Sequence, residues 1–392
     1  MESIIIRPGK VDGKGGSMAG EPSGGDLSRL RQLNSLAVIK ALQGGTSLTL
    51  TEVAKHTGLS RASTEDVVRE LLQKGWLTEA EPTAGGVGRP ARRYRFRAEA
   101  GRVLGVDIGG HNVRAVVADL DGAVQNTARV PVTPEMGRAE RLEAVDRAVT
   151  ECLETAGLTG GDVWASGVGT TGLVDGVGRV VLSEALPEWT GVDLAAHVRR
   201  LAPAPVLVEN DSRLAALAEC WRGVARYAKD MVFLLAGLRT GAGLVIDGKL
   251  HKGFANASGE IGALPVLGWI RAQEHLSGAS GEAGDVFAAA RAGDRAAAAA
   301  VRRYVRDLAL GTSALVLALD PQMVVVGGGF SRSADVLIDP LRRELDRWCI
   351  RTPEVRMSAL GEEGVVLGAV RLALDDVEDR VLDGRTPLLS QP

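Results

Sequence analysis

Cysteine is scarce in this sequence. The 392 residues hold three, Cys152, Cys220 and Cys349, far apart and with no CxxC pair. That pattern excludes a disulfide framework and a thiolate zinc site, and it fits a reducing cytoplasm. Long apolar runs are also missing. The best stretch, Leu308 to Leu319, is short and contains Gly311, Thr312 and Ser313, whereas a membrane-spanning helix needs roughly 20 apolar residues. The N-terminus lacks the basic-then-apolar order of a secretory signal, so a cytoplasmic chain with no membrane partner is expected. The formal net charge is −3, which alone points to no polyanion. What is present is the balance of a folded globular protein, 45% hydrophobic and 24% charged residues. The length fits about two or three domains.

The small net charge hides an uneven distribution. Residues 26–96 carry eleven Lys/Arg against seven Asp/Glu, a surplus of four. Residues 1–25 balance, so the remainder of the chain sits at −7. A basic head on an acidic body predicts that the head alone meets nucleic acid. The pattern divides the chain into a glycine-rich tail (1–25), a head (26–98), two α/β lobes (99–225 and 226–378) and a polar tail (379–392).

Helical periodicity begins near Leu27 and stops at Gly44-Gly45. A second helix covers about Leu50 to His56 and ends at Gly58, and Ser60 is placed to cap a third. Thr57-Gly58-Leu59 is a tight turn of the length a helix–turn–helix uses. The third helix opens Ser60-Arg61-Ala62-Ser63-Thr64, short hydrogen-bonding side chains and one arginine at the end that enters the major groove. A Gly/Arg-rich hairpin follows, placed as the wing of a winged helix. Ser60, Arg61, Ser63 and Thr64 are the candidate DNA contacts of the helix. Arg69 and the wing arginines Arg89, Arg92 and Arg93 are candidates for phosphate or minor-groove contacts. A small helical interaction domain with a solvated basic hairpin is the alternative for this head.

From Val103 the grammar changes to strand, glycine turn, strand, Asp-Gly turn, strand, and it repeats: Asp121-Gly122 and Asp247-Gly248 lie 126 residues apart. Two lobes imply a cleft, the natural ligand site. Asp107-Ile108-Gly109-Gly110, Gly241 and Gly327-Gly328-Gly329 are turns whose backbone can approach phosphates, with Asp107 a candidate magnesium organiser. Glu209-Asn210-Asp211 ends a strand before a helix. Asn210 suits sugar hydroxyls and Asp211 suits a general base, unless Asp211 merely caps the helix. Glu260 supplies a second carboxylate. A helix is predicted from about Pro134 to Ala156, an alanine-rich helical region over about Asp285 to Leu319, and a last helix near Val365 to Asp376.

These residues resemble the ROK family of repressors and sugar kinases, over nearly the whole chain from Leu27 to Leu374. The likeness is greatest to its regulator branch, which joins a winged helix to a kinase-like body. The resemblance rests on Gly105-Val106-Asp107-Ile108-Gly109-Gly110, on Gly167-Val168-Gly169-Thr170-Thr171-Gly172, on Glu209-Asn210-Asp211, on Gly259-Glu260-Ile261-Gly262, and on Asp320-Pro321 with Gly327-Gly328-Gly329. It implies an α/β fold: an N-terminal winged helix–turn–helix plus the two-lobed, actin-like (ribonuclease-H-like) ATPase-type sugar kinase fold, usually dimeric or tetrameric. It also implies sugar binding by Gly172, Asn210, Asp211, Glu260 and Glu274. Asp211 would be the catalytic base if kinase activity survives, and Asp107, Gly109, Gly110, Gly241 and Gly328 would form a nucleotide site that is vestigial in a pure regulator.

The departures bear on mechanism. His111 stands where family kinases usually have Thr, and Ala263 where a histidine, a sugar and zinc ligand, is expected. Leu267 to Gly278 holds no cysteine, so no zinc is expected. No cofactor is expected for the regulator, with ATP and magnesium reserved for the alternative. The expectation is a cytoplasmic, sugar-responsive repressor of carbohydrate genes, binding a double-stranded DNA operator as a homodimer or homotetramer. The alternative is an ATP-dependent sugar kinase with a DNA-binding appendage.

Overall fold

The computed structural model describes residues 27–81, 91–237, 239–277 and 283–382. In the head, α1 (Leu27–Leu42) ends before Gly44 and Gly45, both at positive φ. β1 (Ser47–Thr49) runs straight into α2 (Leu50–Thr57), where Thr49 and Glu52 form a reciprocal capping box. Gly58 closes α2 in the left-handed region, φ 71°. Ser60 caps α3 (Arg61–Gln73) by accepting from the Ser63 N–H. β2 (Leu77–Ala80) and β3 (Arg93–Phe96) pair antiparallel, and β1 lies on the other side of β3. This is the frame of a winged helix. Residues 82–90, with Arg89, lie outside the described residues.

The first lobe opens with a meander, β4 (Arg102–Ile108), β5 (Asn112–Asp119) and β6 (Val124–Pro131). Then come α4 (Arg138–Thr155), β7 (Val163–Thr170), the small pair β8 (Leu173–Val174) and β9 (Val180–Leu182), α5 (Leu194–Leu201), β10 (Val206–Asn210) and α6 (Asp211–Trp221). The sheet order is β10-β7-β4-β5-β6, with β7 and β10 parallel to β4.

The second lobe repeats the scheme with β11 (Met231–Leu235), β12 (Gly241–Ile246) and β13 (Lys249–Leu250). α7 (Trp269–Ser277), α8 (Ala283–Arg291), α9 (Arg295–Leu319), β14 (Met323–Gly327), α10 (Ala334–Trp348), β15 (Glu354–Met357) and α11 (Gly364–Leu382) follow. Its order, β13-β12-β11-β14-β15, is the first lobe's order strand for strand. The repeat expected from the two Asp-Gly turns is therefore a repeat of topology. At the second turn Asp247 and Gly248 both take positive φ, as a tight hairpin requires.

Three elements differ from expectation. The alanine-rich region is two helices, broken at Gly293 (φ 93°), and Asp294 caps α9 by accepting from the Ala297 N–H. The helix expected from Pro134 starts at Arg138. The last helix reaches Leu382 and packs on the first lobe, not the second: α11 lies against α6, β4 and β7.

Glycines make that packing close. A Cβ at Gly167 would collide with the Ala369 carbonyl, one at Gly368 with the Leu214 carbonyl, and one at Gly105 would lie 2.7 Å from Val370 Cγ2. Gly167 and Gly169, within the stretch that resembles the family's sugar-bordering glycines, form a bed for α11. The head joins the same mass. Val38, Leu42, Trp76 and Phe96 form one apolar cluster with Val366, Val370, Leu374 and Val377 of α11, and Trp76 meets Trp164 of β7 edge-on at 5.7 Å.

Candidate functional site

The carboxyl ends of β4 and β10 bring Asp107 and Asp211 together, with Glu260 reaching them from the second lobe. Asn210, not Asp211, caps α6. Its Oδ1 accepts from the Ser212 and Arg213 N–H groups, at 3.0 and 3.4 Å, and from the Ser212 hydroxyl. Its Nδ2 donates to the Gly172 carbonyl at 3.0 Å. The amide is thus engaged inside the protein at its oxygen and through one of the two N–H groups of Nδ2, which makes Asn210 a scaffold for the cleft. Gly172, at φ 96°, can lie here because it has no Cβ to strike the Leu182 carbonyl.

Asp211, whose Oδ1 accepts from the Ser212 N–H at 2.7 Å, stands at the head of α6 as a titrating group. Burial, then the Asp107 carboxylate, then Glu260 push it up to about 7. Burial also pushes Asp107 up to about 7, against the pull of Arg114. Glu260 is raised by burial and opposed by Arg213. Two neighbouring carboxylates thus disfavour the charge of Asp211, and carboxyl oxygens gathered in this way can accept from hydroxyl groups.

The glycine turns surround this cluster. Gly109 is held by Arg141, a wholly buried residue that donates to its carbonyl at 2.7 Å. Gly110 follows in the same turn. Gly241 lies where a Cβ would come within 3.2 Å of Ser212, and Gly328 takes φ 89° against the Ala236 carbonyl. Glu274 stands exposed on α7. His275 meets Asp307 at 3.0 Å, and His111 and His251 are exposed. Ala263, Leu264, Pro265, Val266 and Leu267 offer no donor side chain, so the residues at the family's zinc position do not fit zinc.

Three site residues escaped sequence reading: Arg141, Arg213 and Lys252. Arg213 and Lys252 both contact the buried Glu209, at 3.0 and 2.7 Å. An arginine inside a helix is ordinarily solvated. The one signal was the apolar run Leu214-Ala215-Ala216-Leu217-Ala218 that follows Arg213 immediately.

On the head, Arg61 is exposed at the start of α3. Ser60 and Ser63 share a hydroxyl–hydroxyl hydrogen bond of 2.9 Å at the same end. Thr64 is 0% exposed and donates to the Ser60 carbonyl, so it serves the turn and does not face a groove. Arg93 donates to the Ser47 carbonyl at 2.6 Å and pairs with Glu52 at 3.3 Å, bracing β1 against α2. Arg69 pairs with Glu65 and Asp66, and Arg92 with Glu79, all near the surface.

The chain matches the ROK family model over residues 103–274 and 268–376, and an IclR helix-turn-helix domain model over residues 33–81. A xylose repressor of Caldicellulosiruptor bescii is 23% identical, covering 90% of this chain and 98% of its own length. A glucokinase of Streptomyces coelicolor is 26% identical over 70% of this chain and 98% of its own. Among solved structures, a ROK family transcriptional regulator described as a homolog of the E. coli MLC protein superposes with a TM-score of 0.69 at 19% identity, covering 91% of this chain and 99% of that one. A ROK family glucokinase from Streptomyces griseus, in complex with glucose and AMPPNP, gives 0.59 at 26% identity, with 70% and 100% covered. Among the described residues no helix is long and apolar enough to cross a membrane. With a helix–turn–helix head joined to a body matched from residue 103 to residue 376, the chain belongs to the ROK family.

Proposed function

We propose that this protein is a sugar-responsive DNA-binding repressor in which sugar at Asp211 and Glu260 alters how the head is presented. One observation carries the reading. α11 packs on β4 and α6, which bear Asp107 and Asp211, and its other face shares an apolar core with the head. A change in the cleft therefore bears on the DNA-binding unit through packed side chains and not through a loose linker. The relatives named xylose repressors support the reading, because they align with head and body together, whereas the glucokinases align with the body. A homodimer would set two α3 helices on a palindromic operator, half-sites spaced by the helical repeat. Sugar shifts such a system only by its difference in affinity between two states. Operator binding is to be measured with D-xylose, D-glucose and other aldoses added in turn. A change of at least about tenfold with one sugar is expected, near the middle of the usual coupling range. No change with any sugar overturns the reading.

A second reading has its own support. Asp211, raised to about 7, can accept a proton from a sugar hydroxyl at neutral pH. The residues that would hold a nucleotide and magnesium are Asp107, Gly109, Gly110, Gly241 and Gly328. A coupled phosphotransfer assay tests this: turnover abolished in Asp211→Asn supports a kinase.

A further inference from the structure

Glu260 sits on an irregular loop of the second lobe, yet it must face Asp211 on the first. Within the loop from Lys252 to Glu260 the Ser258 N–H donates to the Lys252 carbonyl at 3.2 Å and the Glu260 N–H to the Ala257 carbonyl at 3.4 Å, and the other support comes from outside it. Asn256 takes φ 53°, a region that asparagine visits more readily than most residues, and Gly259 takes φ 87°. Arg213 does the holding. Its side chain is 1% exposed. Its Nη2 donates to the carbonyls of Asn256 at 2.6 Å and Ser258 at 3.1 Å, while Nη1 donates to Glu209 at 3.0 Å. Glu209 in turn accepts from the Asn210 N–H at 2.9 Å and pairs with Lys252 at 2.7 Å. One buried carboxylate thus sets the direction of two cations that grip the loop at both ends. A planar guanidinium reaches three acceptors at once, which an ammonium on a flexible stem does not do in the same geometry.

We infer that Arg213, oriented by Glu209, is a positioning residue for the sugar: it fixes the loop of residues 252–260 across the cleft so that Glu260 faces Asp211, with Lys252 pinning the loop's first residue. The inference rests on the sugar-binding reading of the cleft. The charged groups that act on Glu260 are Arg213 and Asp211, both on α6, with Asp107 of β4 behind Asp211. A purely structural ion cluster would affect melting alone. A positioning residue also alters sugar affinity and its dependence on pH.

The test uses the full chain and the variants Arg213→Lys, Arg213→Gln and Lys252→Met. Thermal melting reports folding, and hydrogen exchange reports the amides of residues 252–260. D-xylose and D-glucose are titrated by calorimetry from pH 5 to 8. Arg213→Lys keeps the charge and loses the fork, so loop exchange quickens and sugar affinity drops about tenfold or more, as when the supports of other binding groups are removed, with the pH midpoint unmoved. Arg213→Gln adds a shift of the acid limb to higher pH, because the charge that opposes protonation of Glu260 is gone. Arg213→Lys with wild-type exchange and wild-type sugar affinity overturns the inference. If the Arg213 variants do not fold, Lys252→Met decides by the same two readouts. A wild-type chain that binds neither sugar overturns the sugar reading, and loop exchange still decides whether Arg213 holds the loop.

Discussion

The Asp121 carboxylate accepts hydrogen bonds from the backbone N–H of Gly44, at 3.1 Å, and of Gly45, at 3.3 Å. The two glycines form the turn between α1 and β1 of the head, and Asp121 belongs to the hairpin between β5 and β6 of the first lobe. Arg222, at the end of α6, donates to the carbonyls of Asp121 and Gly122 at 2.9 and 2.8 Å. α6 therefore spans from Asp211 in the cleft to the junction with the head, a rod of about 16 Å. Asp121→Ala leaves two backbone donators at the junction without this partner and is expected to cost about 1 kcal/mol. Hydrogen exchange should quicken at residues 42–50 in the variant and stay unchanged in the second lobe. Unaltered exchange at the junction would show that the carboxylate holds nothing.

Arg61 and Arg69 stand on the same helix with different electrostatic histories. Arg69 faces Glu65 and Asp66, which already offset its charge, whereas Arg61 is exposed at the N-terminal end of the helix. If Arg61 reads a guanine, Arg61→Ala weakens the specific operator by about 1–3 kcal/mol and leaves unrelated duplexes nearly untouched. Arg69→Ala is expected to lose less, and uniformly across sequences. Fluorescence anisotropy at two salt concentrations separates the cases; equal losses on every duplex would make Arg61 a phosphate contact.

The raised carboxyls make a signed statement about stability. Asp107 and Asp211 titrate near 7 in the fold against an ordinary 3.8. A carboxyl raised by folding contributes its stability below its unfolded value, and that contribution is lost as pH rises through the folded one. Stability from the pair therefore falls between about pH 4 and pH 7. Asp211→Asn removes one of the two titrations, so it should gain roughly 1–2 kcal/mol over the wild type at pH 8 and almost nothing at pH 4, a figure held below the full linkage because the cleft is partly solvated. Urea unfolding at the two pH values measures it. Equal effects at both would mean that Asp211 titrates normally. The same variant should lose sugar binding.

The sequence made the head legible because its stops are local: Gly58, Ser60 and the Thr49–Glu52 pair act within one turn of the helices they punctuate. The repeat was legible for the same reason, since an Asp-Gly hairpin needs only its neighbours. The destination of α11 was not legible. The glycines that admit it, Gly105, Gly167 and Gly169, look the same on paper as glycines that approach a phosphate, and only a long-range contact tells them apart. The choice of cap at α6 was open between adjacent Asn210 and Asp211, because either side chain reaches the same N–H groups. Arg213 was missed because two of its three acceptors, at Asn256 and Ser258, are backbone carbonyls over 40 residues away, and carbonyls carry no sequence signature.

Gly167 offers the sharpest check on that reassignment. A Cβ there meets the Ala369 carbonyl of α11, which is backbone and cannot rotate aside, whereas a Cβ at Gly176 meets open space. Gly167→Ala must push α11 off β7 or break the register of the helix, and overpacking of this kind costs about 1–3 kcal/mol or more. Gly176→Ala should lie within about 0.5 kcal/mol of the wild type, as surface changes do. Were Gly167 a sugar-bordering glycine, its alanine variant would lose sugar affinity and keep its melting temperature. As a packing glycine it loses melting temperature first. The head rests on the far face of α11, so operator affinity should weaken in step with that loss even with no sugar present. Differential scanning calorimetry beside operator titration reads both quantities, and a stable Gly167→Ala with impaired sugar binding would return the glycine to the ligand.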